Sequence, residues 1–266
     1  MYVDSHCHIH FPALAKRLPE VLSNMKKKGV SHALVVSISL DDIPDVIRLA
    51  EQNPQLYAAV GVHPGRKESR QPDVKTLVEY ASHPKVVAIG ETGLDYYHVK
   101  GDRDWQLERF RIHIEASRQC RKPLIIHARE AADDVIKILK EEGAGTDAGG
   151  YGGIMHCFNE TMPIAKAAMD MGFYISFSGV ITYPNARELQ HIARLIPLNR
   201  LLIETDAPYL SPQSIRGKQN EPAYVTEVAA QLAKIKGIPV ARVAKESTQN
   251  FFRLFDLTSL LETESV

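Results

Sequence analysis

Val86-Val87-Ala88-Ile89-Gly90-Glu91 runs five apolar or small residues straight into a carboxylate. A run without polar alternation suits a strand buried on both faces, as in a parallel sheet. Seven other short apolar runs, at residues 2–3, 33–38, 56–60, 124–126, 153–155, 173–177 and 201–203, read the same way. Between them lie longer segments of helical period, at 14–28, 43–52, 74–82, 105–121, 131–142, 162–171 and 186–195, with two more at 221–236 and 240–255. Strict alternation implies βαβ units. Eight such units in 266 residues favour an α/β fold closed as a (β/α)₈ TIM barrel over an open doubly wound sheet. The first strand leads into Asp-Ser-His-Cys-His, with no glycine-rich phosphate or dinucleotide fingerprint. One barrel domain over residues 1–257 is expected, followed by a short fraying tail at 258–266, and the glycine-rich stretch 142–153 reads as a mobile loop.

The composition, 44% hydrophobic and 24% charged, is that of a globular chain. Thirty-two basic residues balance thirty-two acidic ones, so no global field draws in polyanions and a tight, sequence-blind duplex binder is disfavoured. Contact with nucleic acid would have to be local, such as a strand end entering a pocket. Three cysteines, Cys7, Cys120 and Cys157, make no disulfide framework and suit a reducing compartment. With no signal-like segment and no membrane-length apolar run, the cytoplasm is the expected location.

Chemistry-bearing residues follow six of the eight runs: His6 and His8, His63, Glu91, His127, His156, and Glu204 with Asp206. In barrel enzymes the carboxyl ends of the strands carry the active site. His6 and His8 share a face by alternation, and two neutral imidazoles there suit a divalent cation. Asp4, on the same face, is expected behind them, orienting their ring nitrogens. Glu91 ends an apolar strand, so it must be paired or metal-bound; it either bridges two cations or forms an ion pair with Arg129 or a lysine. His127 and His156 offer a second nitrogen pair. Asp206 is a candidate ligand and general base. Four imidazoles and two carboxylates suit zinc, manganese, iron or cobalt better than calcium, with magnesium a weaker match.

The stretches Asp4-Ser-His-Cys-His8, Gly61-Val-His-Pro64, Ala88-Ile-Gly-Glu-Thr-Gly-Leu-Asp-Tyr96, Pro123-Leu-Ile-Ile-His127, His156-Cys-Phe158, Leu202-Ile-Glu-Thr-Asp-Ala-Pro-Tyr-Leu210 and Asn220-Glu-Pro222 cover nearly the whole chain in order. Together they resemble the TatD family of metal-dependent deoxyribonucleases, within the amidohydrolase-like barrels. The resemblance implies two divalent metal ions, one held by His6, His8, Glu91 and Asp206, the other by Glu91, His127 and His156. It also implies cleavage of DNA phosphodiesters, commonly from the 3′ end, with Glu91 and Asp206 in the chemistry; some relatives are described as D-aminoacyl-tRNA deacylases.

Around this set, His63, Arg129, Arg216 and Lys218 are expected to bind substrate phosphate, and Glu204 to support a ligand histidine. Each has a plainer reading: a turn, an ion pair, a solvated loop or a buried acid paired with a lysine. Tyr96, Tyr97 and Trp105 could stack on a base, though Trp105 equally suits anchoring its helix. The expected substrate is a DNA end or another ester, with no membrane or obligate protein partner, and the chain is expected to be a monomer. An amide, ester or lactone hydrolase on the same binuclear site is the alternative, and a non-catalytic metal-binding module a further one.

Overall fold

The computed structural model describes residues 1–67 and 71–259. The tail expected at 258–266 therefore falls, beyond residue 259, outside the described residues. The strands are β1 Tyr2–Cys7, β2 Val30–Val36, β3 Leu56–Val60, β4 Val86–Asp95, β5 Leu124–Arg129, β6 Gly153–Met155, β7 Tyr174–Phe177 and β8 Leu201–Ile203. They lie in one sheet in chain order, and β3–β4, β4–β5, β5–β6 and β7–β8 pair in parallel. Past the end of β8, Ala207 bridges Cys7 of β1 in parallel, with His8 N–H donating to the Ala207 carbonyl at 2.7 Å. First strand thus meets last, and the fold is a (β/α)₈ barrel, as the alternation predicts.

The helices are α1 Pro12–Ala15, α2 Leu18–Lys27, α3 Ile43–Gln52, α4 Val74–Ala81, α5 Asp104–Cys120, α6 Ala132–Glu141, α7 Met162–Asp170, α8 Arg187–Leu195, α9 Val225–Lys236 and α10 Val240–Leu254. The segment read as one helix at 14–28 is two, because Pro19 sits in the first turn of a fresh helix. Two compact units can be distinguished: Met1–Leu34 with Ile175–Val266, and Val35–Tyr174. In the first, α9 and α10 cover β1 and β8, burying Val228, Leu232, Val243, Phe251 and Phe252. In the second, α5 packs on β4 and α4, with Phe110 and Ile114 fully sequestered.

Strands β3, β6 and β8 match their apolar runs residue for residue, but β1, β4 and β5 extend beyond theirs. Many of the added residues are polar, among them His6, Glu91, Asp95, His127 and Arg129, so an apolar count stops before the strand does. The glycine-rich stretch before β6 is held rather than loose. It contains a 3₁₀ turn at Thr146–Ala148, and Gly150 N–H, Gly152 N–H and Thr146 N–H donate to the carbonyls of Gly145, Ala144 and Met171.

Two buried side chains of α5 shape the exit of β3. His113 accepts from Val62 N–H through Nε2 at 3.0 Å and donates from Nδ1 to the Arg109 carbonyl at 2.8 Å. Arg109 donates to the carbonyls of His63 and Arg66 and to Gln71. Burial lowers the His113 pKa from 6.5 to about 4, which keeps the ring neutral. Because the folded value is depressed, this contribution is intact above the unfolded value and is lost as pH falls. The shift corresponds to roughly 3 kcal/mol. Urea titrations of wild type are expected to show stability declining between pH 6.5 and 4, and His113→Gln should flatten that decline. An equal acid slope in both proteins would refute the assignment.

Candidate metal centre

Within the unit spanning Val35–Tyr174, the centre is built on a register. Gly93 of β4 pairs with His127 of β5, and Glu91, Gly93 and Asp95 share one face of β4 by alternation. The His127 ring reaches the flanking carboxylates: Nδ1 lies 3.0 Å from Glu91 Oε1 and Nε2 lies 3.2 Å from Asp95 Oδ2. Gly93 is required there. Its φ is 128°, and a Cβ would collide with the His127 carbonyl. Glu91 Oε1 also faces His156 Nε2 at 3.0 Å and His63 Nε2 at 3.4 Å, so three imidazoles converge on one carboxylate oxygen.

The other unit carries its own set. His6 Nε2 and His8 Nε2 stand 3.1 Å apart, and Asp206 Oδ1 lies 3.6 Å from the first and 3.4 Å from the second. Asp206 has a φ of 57°, in the left-handed region, and is fixed by its N–H donating to the His6 carbonyl at 2.9 Å. Phe11 stacks on His8 with ring centroids 5.0 Å apart and planes 9° apart. Asp4, expected to orient the ring nitrogens, instead accepts from the backbone N–H groups of His6 and Thr205 and from the Thr205 hydroxyl. It ties β1 to the segment after β8, because those N–H groups are buried and need an acceptor closer than the rings.

The donors fit a divalent cation. Two imidazole nitrogens bound to one ion at about 2.0–2.1 Å would lie roughly 2.9–3.4 Å apart, which matches the 3.1 Å between His6 and His8. Glu91, His127 and His156 present ligand atoms within 4.8 Å of one another. Burial alone would raise the Glu91 carboxyl. Interactions with His63 and His156, with hydrogen bonds from His127 and His156, outweigh it and hold the carboxyl well below its ordinary value. For His127, burial opposes protonation, but hydrogen bonds to Asp95 and Glu91 win and raise its pKa. A cation can take the place of that proton.

His63 differs from the others. Gly65 N–H donates to its Nδ1 at 2.9 Å, and burial pushes its pKa down to about 3. The neutral ring, accepting at Nδ1, carries its proton on Nε2, which faces Glu91 Oε1 at 3.4 Å. A Cβ on Gly65 would press to 3.0 Å from Nδ1, so glycine allows this contact.

Arg129 forms no ion pair with Glu91; it is exposed at the end of β5, with its guanidinium 5.0 Å from the Tyr97 ring centroid. Glu204 is fully buried just after β8, its N–H donating to the Phe177 carbonyl. Arg216 and Lys218 are exposed in the long segment that follows; Arg216 lies over Tyr183, and neither is ion-paired among the described residues. Asn220 pins that segment through the carbonyls of Thr205 and Tyr209. Trp105 anchors its helix, donating to the Asp102 carbonyl with Arg109 over its ring. Sequence reasoning missed Asp95 as the partner of His127, although a Glu-x-Gly-x-Asp pattern on one strand face was its signal.

A family model for TatD-related DNase matches residues 3–256. The chain is 42% identical to the uncharacterized metal-dependent hydrolase YcfH of Escherichia coli (strain K12), over 96% of each chain. It is 41% identical to the uncharacterized metal-dependent hydrolase YabD of Bacillus subtilis (strain 168), over 96% of this chain and 99% of that one. Among solved structures, YjjV, a TatD homolog from Escherichia coli K12, superposes with a TM-score of 0.88 at 29% identity, covering 96% of this chain and 98% of that one.

Asp95→Asn should weaken divalent-metal binding roughly 10- to 100-fold while leaving the protein folded. Competitive titration against a fluorescent chelator measures this, and unchanged affinity would remove Asp95 from the site.

Proposed function

Because the chain belongs to the TatD family of metal-dependent hydrolases, we propose that it is a deoxyribonuclease cleaving phosphodiesters stepwise from 3′ strand ends. The observation that carries this reading is the pairing of buried and half-buried imidazoles with carboxylates at strand carboxyl ends: His6, His8 and Asp206 in one unit, Glu91, His127 and His156 in the other. In this proposal His6, His8 and Asp206 would hold one divalent cation, and Glu91, His127 and His156 would hold the other. Bound divalent cations supply acidified water and electrostatic stabilisation of a phosphoryl centre.

The chain's own residues do the rest. Asp206 Oδ1, facing both His6 and His8, accepts the proton of the attacking water. Glu91, kept ionised by its histidines, serves as a ligand without competing for that proton. His63 offers Nε2–H to a non-bridging phosphate oxygen, a donor that carries no charge to be lost with pH. Arg129 adds a permanent positive charge at the end of β5. Three free cysteines favour a reducing compartment, and we propose a cytoplasmic enzyme. No helix among the described residues is long and apolar enough to cross a membrane.

The test is a metal-reconstituted assay on end-labelled single-stranded DNA, with metal content measured in parallel. Wild type is expected to shorten the strand from its 3′ end. Asp206→Asn should lower kcat by about 10²- to 10⁴-fold. Wild type that holds two metals yet leaves DNA intact would overturn the DNA reading and turn attention to ester, amide and D-aminoacyl-tRNA substrates.

A further inference from the structure

Of the three rim aromatics that follow β4, two are already committed. Tyr96 donates its hydroxyl to Asp134 at 2.7 Å and lies under the Arg103 guanidinium, 4.0 Å from its ring centroid. Trp105 is covered by Arg109. Tyr97 is different: 49% of its surface stays open to solvent, which makes it one of only two large exposed aromatics among the described residues. Two cations attend it, with the Arg129 guanidinium 5.0 Å and Lys100 Nζ 5.6 Å from the ring centroid. Lys100 is held in place by donating to the Tyr96 carbonyl at 2.8 Å, with Glu130 3.9 Å away.

This cluster adjoins the metal ligands through direct contacts. The Tyr97 ring meets the His98 ring edge to face at 4.8 Å, His98 Nδ1 lies 2.8 Å from Asp95 Oδ2, and Asp95 bonds His127. Tyr97 thus keeps about half of its surface in water with two cations over its ring. This arrangement matches a nucleotide, whose base offers a planar face and whose linkages offer anions.

We propose that Tyr97, with Arg129 and Lys100, is a platform on which one unpaired nucleobase stacks while its flanking phosphates meet the two cations. Tyr97 is thereby a specificity-determining residue that selects unpaired strand ends over duplex. A base inside a duplex has both faces covered, and a chain of zero net charge has no bulk field to hold a duplex instead. The proposal rests on the reading of the protein as a nuclease, but strand binding and strand cleavage can be measured separately.

The experiment uses metal-loaded protein and a short single-stranded oligonucleotide with non-hydrolysable linkages, alongside a version whose 3′-terminal residues lack bases. Wild type should bind the base-bearing strand more tightly than the abasic one. Tyr97→Leu should erase that difference, losing roughly 5- to 150-fold in affinity for the base-bearing strand. Tyr97→Phe should retain wild-type binding, and metal content should be the same in all three. If Tyr97→Leu binds both strands as wild type does, the platform is overturned whether or not DNA is cut. If wild type binds through Tyr97 but never cleaves, the platform stands and the nuclease reading falls. If wild type binds no strand, both fall.

Discussion

A carboxylate at the end of an apolar strand must be compensated, and the compensation of Glu91 organises the candidate ligands of the unit spanning Val35–Tyr174. His63, His127 and His156 all turn a ring nitrogen to the same oxygen of that side chain. Three imidazoles so placed cannot all be protonated without repelling one another, and cannot all be neutral without leaving the carboxylate charge under-compensated. A divalent cation relieves both demands. Beside Glu91, the residue paired with His127 has to be Gly93, because its φ is 128° and a Cβ there would strike the His127 backbone.

Much of the buried polar chemistry outside the ligands goes into holding strand exits still. Arg109 and His113 on α5 satisfy the backbone after β3, Asp4 and Asn220 do so around the exit of β8, and Gln106 on α5 both donates to and accepts from the backbone of Asp95. Irregular backbone beside a polar site has N–H and C=O groups that water cannot reach, and each must be paired. Meeting that need with side chains anchored on α5, on β1 and in the segment after β8 gives the candidate ligands a rigid frame, which a site of fixed dipoles and charges requires.

Electrostatics here is local by construction. With acidic and basic residues in balance, the proposed function leaves attraction for an anionic substrate to particular groups: the donor on His63, the guanidinium of Arg129 and the ammonium of Lys100. Their reach is limited to about a Debye length, roughly 8–10 Å in physiological salt.

By itself, the sequence determined the strands as elements, the closed order they follow and the chemical types gathered at their carboxyl ends. Unbroken apolar runs report burial on both faces, and a strand's two-residue repeat fixes which side chains share a face; both are local properties that survive without a partner. The tertiary structure alone decided what those side chains do. It carried β4 on to Asp95, turned Asp4 toward the Thr205 and His6 amides, set Arg129 on Tyr97 rather than on Glu91, and fixed the His63 proton on Nε2 through the Gly65 amide. Each of those outcomes depends on register between strands or on which buried donor lies nearest. Such distances, between residues far apart in the chain or across a turn, are set by packing and leave no periodic trace in the sequence.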